Sequence, residues 1–219
     1  MSTPRALSCR PALLAVVLLL PLLLQGCWTL ERYVARVRIE ADGSYKYFLE
    51  GSATHAATAY ALRRAEREAR ASKAKPEDAL KLKQDAEAVM AKDFGLARTD
   101  PRVKSILSIG GGRIRFMVSG TGSIAGGEII FQEREAPLAY AQGPEGSLSI
   151  RLKDAVVGRN AGALGIKVDG DVSITLAEGI QVLEHNALKT PTVPGGAYRW
   201  RVEDPSAPAP HLVIRLPKP

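Results

Sequence analysis

Between residues 33 and 41 apolar and polar side chains alternate, with Ala35, Val37 and Ile39 on one side and Arg36, Arg38 and Glu40 on the other. A period of two over this length predicts a half-buried strand. Asp42-Gly43 follows, and residues 44–50 alternate again, Tyr45, Tyr47 and Leu49 against Lys46 and Glu50. Asp-Gly between two alternating runs predicts a hairpin with a type I′ turn, which needs positive φ at both central residues.

The period then changes. Residues 53–74 are dense in alanine, arginine and glutamate, hold no glycine or proline, and favour helix. Pro76-Glu77-Asp78 opens a second helix, with proline in the first turn and acids at the positive end of the dipole. Leu82, Ala86, Val89 and Met90 give it a narrow apolar stripe, and Phe94-Gly95 closes it. From residue 102 onward short strands recur, at 103–109, 113–119, 128–133, 138–142, 147–154, 164–168, 172–177, 180–184, 197–203 and 211–216. Gly110-Gly111-Gly112, Gly143-Pro144-Glu145-Gly146 and Asp169-Gly170-Asp171 are read as the turns between them. The expected fold class is α+β: a mostly antiparallel sheet or sandwich with a helical hairpin inserted at about 53–98.

The extreme N-terminus belongs to neither pattern. Arg5 and Arg10 precede an almost unbroken apolar segment, 11–24, too short to span a bilayer as a stable helix and laid out like a secretory signal. It ends in Leu24-Gln25-Gly26-Cys27, which resembles the lipobox of bacterial lipoproteins. The resemblance implies that residues 1–26 are a signal peptide, cleaved between Gly26 and Cys27. Palmitate-like acyl chains on Cys27 would then hold the 27–219 domain on a membrane. Each buried methylene contributes about 0.8 kcal/mol, so stable anchoring needs more than one chain. Trp28 is not the aspartate that the family associates with inner-membrane retention. The expected location is therefore the cell envelope, on the outer membrane facing the periplasm where two membranes exist.

Composition narrows the remaining choices. The chain has two cysteines; Cys9 leaves with the signal and Cys27 carries the anchor, so the mature domain has no disulfide and no thiol nucleophile. With Arg5 and Arg10 gone, 28 basic and 23 acidic side chains remain, a net +5. That excess suits an anionic lipid surface or glycan. Nucleic acid is not an expected partner, because no reader motif is present.

The three histidines, His55, His185 and His211, lie on different elements without ligand spacing, so no metal or other cofactor is expected. Gly120-Thr121-Gly122-Ser123 lacks the nucleophile-elbow spacing and reads as a turn or bulge, and no catalytic residue is expected. Arginines recur at i,i+2 in three strands: Arg36 and Arg38, Arg113 and Arg115, Arg199 and Arg201. Alternation puts each pair opposite the apolar face. If the strands are neighbours, six guanidinium groups form one candidate head-group surface. The plainer reading is a solvated face balanced by Glu40, Glu133 and Glu203.

The layout of lipobox cysteine, Asp42-Gly43 hairpin, helical insertion, Glu184-His185-Asn186-Ala187 and a strand carrying Tyr198 and Trp200 resembles the LppM-like bacterial lipoprotein domain. The resemblance implies a small β-rich fold with a hydrophobic cavity for a lipid or glycolipid, and no catalytic residues. The leading expectation is a non-enzymatic envelope lipoprotein that binds a lipid, a glycolipid or an envelope protein partner. The alternatives are a structural accessory subunit of an envelope assembly, which predicts a filled core and an exposed stripe at Leu82, Ala86 and Val89, and a hydrolase of envelope polymers.

Overall fold

The computed structural model describes residues 28–70, 76–124, 138–152, 165–204 and 206–217. Six strands form one sheet: β1 (Trp28–Ile39), β2 (Ser44–His55), β3 (Val103–Gly110), β4 (Arg113–Ser123), β7 (Asp169–Leu176) and β9 (Ala197–Val202). Their spatial order is β3-β4-β2-β1-β7-β9. A second, four-stranded sheet has the order β5-β6-β10-β8, built from β5 (Leu138–Gln142), β6 (Ser147–Leu152), β8 (Gln181–His185) and β10 (His211–Arg215). The β1–β7 pair is parallel and the other pairings are antiparallel. Helices α1 (Ala56–Arg70) and α2 (Pro76–Arg98) lie between β2 and β3 in the chain, which makes the fold α+β. The strands expected at 128–133 and, in part, at 164–168 lie outside the described residues.

The apolar positions picked out by alternation form the core. Ala35, Val37 and Ile39 of β1 and Val172, Ile174 and Leu176 of β7 are buried with Leu148, Ile150, Leu152, Leu212 and Ile214 of the second sheet, in one cluster shared by both sheets. Tyr33, Tyr45, Tyr47 and Trp200 are buried there too, and Tyr198 packs at the margin. Three of these rings lie over glycines on the adjoining strand: Tyr33 pairs with Gly170, Tyr45 with Gly122 and Tyr47 with Gly120. A Cβ added at Gly170, Gly122 and Gly120 would lie 2.2, 2.4 and 2.5 Å from the nearest ring carbon. The absence of a side chain is therefore what lets each tyrosine lie flat on the sheet.

That packing corrects two readings of the sequence. Asp169-Gly170-Asp171 is not a turn but the start of β7, and residues 165–168 are irregular instead of a strand. Gly120-Thr121-Gly122 is likewise inside β4. In both places glycine marks a ring's seat, not a change of direction.

The Asp42-Gly43 hairpin forms, but not as a type I′ turn. Glu40 and Ser44 close a three-residue loop in which Gly43 alone is left-handed, at φ 81°, while Asp42 keeps negative φ and its carboxylate accepts from the Ser44 amide at 2.8 Å. Strand β2 also runs to His55, so α1 begins three residues later than alanine content suggests. Pairing with β1 and β4 on both sides, down to His55 and Thr54, outweighs helix propensity at Ala53. Helix α2 continues past Phe94-Gly95 to Arg98, whose guanidinium lies 4.5 Å from the centre of the Phe94 ring.

Candidate functional site

The site begins with a break in the β1–β2 ladder. Leu30 pairs with Ala53 and Tyr33 with Gly51, so Glu31 and Arg32 together oppose Ser52. This two-against-one register is a β-bulge, a device that re-aims side chains. Gly51 makes it possible, because a Cβ there would lie 2.1 Å from the Arg32 carbonyl oxygen. The bulge carries Glu31 to the outer face of the six-stranded sheet. Its carboxylate accepts from Thr54 Oγ1 at 2.6 Å, from Ser52 Oγ at 3.3 Å and from Arg113 Nη2 at 2.6 Å. Burial alone would push the Glu31 carboxyl upward. The Arg113 guanidinium and the two hydroxyls outweigh it and hold Glu31 below the usual carboxylate range.

Above this cluster sits α1. His55, fully buried, precedes its first turn, and its Nδ1 accepts from the Thr58 amide at 3.2 Å in the manner of an N-cap. Thr58 Oγ1 donates to the Ala86 carbonyl of α2 at 2.9 Å and ties the two helices together. The β3–β4 turn packs on the same point: Gly112 is buried, and a Cβ there would meet Thr58 at 3.0 Å. Between α1, the bulge and the segment after Gly165 lies an open groove of about 490 Å³. Its charged lining is Glu31, Arg32, Arg63, Glu66, Arg113 and Lys167. Among the described residues four cations face two carboxylates, and the better buried carboxylate is already bonded to Arg113. The groove thus presents a net positive, polar wall that suits a phosphate or carboxylate group.

The six arginines singled out by alternation share the outer face but do not form one cluster. Strand β2 separates β1 from β4, and β7 separates β1 from β9. Arg38 pairs with Glu40 at 2.6 Å and Arg113 with Glu31. Arg201 binds Asp169, Asp171 and Glu203. Arg36 lies over the Phe48 ring at 5.7 Å, and Arg115 and Arg199 are exposed. Of the six, only Arg113 lines the groove. Gly26 and Cys27 lie outside the described residues.

The histidines separate into different roles. His55 caps α1; His185 and His211 come onto neighbouring strands, where His185 packs on Tyr198 and His211 Nδ1 is 3.9 Å from Glu184. Among the described residues no group of three His, Cys, Asp or Glu side chains is placed to hold a metal ion. Asn186 does more than the sequence suggested. Its Oδ1 accepts from Trp200 Nε1 and from the His211 amide, both at 2.8 Å, and its Nδ2 donates to the Ala209 carbonyl at 2.9 Å. One side chain thereby clamps β9 of the first sheet to β10 of the second.

The bulge and Arg32, Arg63, Glu66 and Lys167 were missed in the sequence. A glycine interrupting an alternating run, Gly51, was the available signal.

No family model matches the chain, and no curated protein matches it. Among solved structures, it is similar to the folded domain of LppM from Mycobacterium tuberculosis, with 13% identity, a TM-score of 0.38, and coverage of 87% of this chain and 92% of that one.

Proposed function

We propose that this chain is a membrane-anchored envelope lipoprotein, held through acylated Cys27, that works by binding and not by catalysis. Its ligand is the anionic head group of a lipid or glycolipid, seated in the groove between α1 and the bulge. The supporting observation is the groove itself: Arg32, Arg63, Arg113 and Lys167 line it against Glu31 and Glu66, with Glu31 neutralised by Arg113. Glu31 and Arg32 lie only a few residues beyond Cys27, so the groove is close to the head-group layer when the anchor is in place. Its polar lining accommodates a head group.

The accessory-subunit reading asks for an exposed stripe on α2. Ala86 is instead buried at the contact with Thr58 of α1, Leu82 is half-buried, and only Val89 stays open, at 52% exposure. Leu80, the other large exposed apolar residue among the described residues of α2, is nine positions away and so on the opposite side of the helix.

The experiment is native mass spectrometry of the full chain extracted from bacterial membranes in mild detergent. An anionic lipid that co-purifies with wild type and is lost from an Arg32→Gln/Lys167→Gln variant is the expected result. Equal retention by both would refute the groove as its site.

A further inference from the structure

Strand β1 opens at Trp28, the residue after Cys27. One Cα–Cα step of about 3.8 Å separates the anchor position from the folded sheet, so there is no linker through which the domain could swing free. Whatever lies beside the start of β1 must then touch the bilayer. The register states what that is. Thr29 pairs with Thr54, Thr54 with Arg113 and Arg113 with Gly110, one row across four strands. The β3–β4 turn therefore stands level with the anchor, about 14 Å to one side at the usual strand spacing.

Its tip carries no side chain: Gly110, Gly111 and Gly112 are left-handed at φ 81°, 62° and 75°. Beside it β3, an edge strand, exposes Leu107 at 57% and Ile109 at 44%. Tyr60, in the α1 turn that packs on Gly112, is 57% exposed. Arg113 and Arg115 flank these residues on β4, Arg115 directly opposite Leu107. On the other side of β1 the charge reverses, with Asp169, Asp171 and Glu203 grouped around Arg201 at the same end. A negatively charged surface attracts the first side and repels the second.

We infer that the β3–β4 tip, with Leu107 and Ile109 as its apolar contacts and Arg113 and Arg115 as its head-group contacts, is a second membrane-docking element that seats the domain tilted onto the bilayer. Exposed aliphatic side chains beside arginines match the layered chemistry of the interface, where apolar groups enter the acyl boundary and guanidinium groups stay with phosphates. The inference rests on the acylated Cys27 of the proposed function.

The test uses the full chain, exported and processed, in vesicles of phosphatidylcholine and phosphatidylglycerol. Because Cys27 is consumed by acylation, a cysteine introduced as Ile109→Cys is the single free thiol and can carry an environment-sensitive dye. Asp42→Cys, at the hairpin on the opposite end of the sheet, is the reference position. The expected result is a blue shift at 109 and loss of its emission when lipids with quenchers in the upper acyl chain are included, with neither change at 42. Equal, water-like emission at both positions on protein whose Cys27 is shown by mass to be acylated would overturn the docking element and leave the anchor standing. An unmodified Cys27 would overturn both. As a second check, Leu107→Glu should lower the signal at 109 while the acyl mass is unchanged; an undiminished signal contradicts the role given to Leu107.

Discussion

The Glu31–Arg113 pair is where the geometry of the groove converts most directly into a measurable energy. Two guanidinium nitrogens contact the carboxylate, Nη2 at 2.6 Å and Nε at 3.0 Å to the same oxygen. The Glu31 side chain is 15% exposed and that of Arg113 49%. Opposite charges about 4 Å apart attract by about 1 kcal/mol in water and about 4 kcal/mol at an effective dielectric of 20. A pair with one partner buried and one half in solvent falls between, so the coupling expected at neutral pH is about 1–3 kcal/mol. The perturbation is a double-mutant cycle of Glu31→Gln and Arg113→Leu, read by urea denaturation. Each kcal/mol also corresponds to about 2–4 °C in melting temperature for a domain of this size. Because Glu31 is held below its usual range in the folded state, its stabilisation is fully present above the unfolded value of 4.5 and is lost as pH falls through the lower folded value. The coupling should therefore be full at pH 7 and fade in acid. Additive single-mutant effects within about 0.4 kcal/mol at pH 7 would refute the pairing. Coupling unchanged in strong acid would refute its ionic origin.

Three further outcomes follow from the packing. Gly170→Val forces a side chain into the Tyr33 ring and should cost about 1–3 kcal/mol by thermal melt, with part recovered in a Tyr33→Leu background. Asn186→Ala removes three hydrogen bonds, one of them to Trp200 of the other sheet, and should cost about 1–3 kcal/mol, with a fluorescence change at Trp200, whose indole it accepts from. Thr58→Val breaks the bond to the Ala86 carbonyl and should cost about 1–2 kcal/mol; amide exchange should speed up in α1 and α2 more than in the six-stranded sheet.

The sheet was legible because its signal is local. Alternation marks the inward face of β1 from Tyr33, of β2 as far as Leu49, of β4 and of β9, and Tyr33, Tyr45, Tyr47 and Trp200 are buried on it. The groove was not legible because it depends on pairing. Glu31 and Arg32 look like two residues of an ordinary strand until Gly51 sets two residues against one across the ladder. Lys167 joins them only through the parallel pairing of β1 with β7, a contact between positions far apart in sequence. Glycine caused the misreadings for one physical reason. Gly120, Gly122 and Gly170 satisfy the same local pattern as turn glycines, and only the tyrosine across the ladder distinguishes a ring's seat from a turn. The arginine pairs show the complementary case: their shared face followed from alternation, but their partners, such as Asp171 opposite Arg201, followed from strand order.

The most direct measurement is the mass of the amino-terminal peptide of the mature chain recovered from bacterial membranes. Cleavage after Gly26, with a diacylglyceryl thioether and an amide-linked acyl chain on Cys27, is the predicted result. A chain recovered from the soluble fraction with an unmodified Cys27 would contradict the membrane-anchored function.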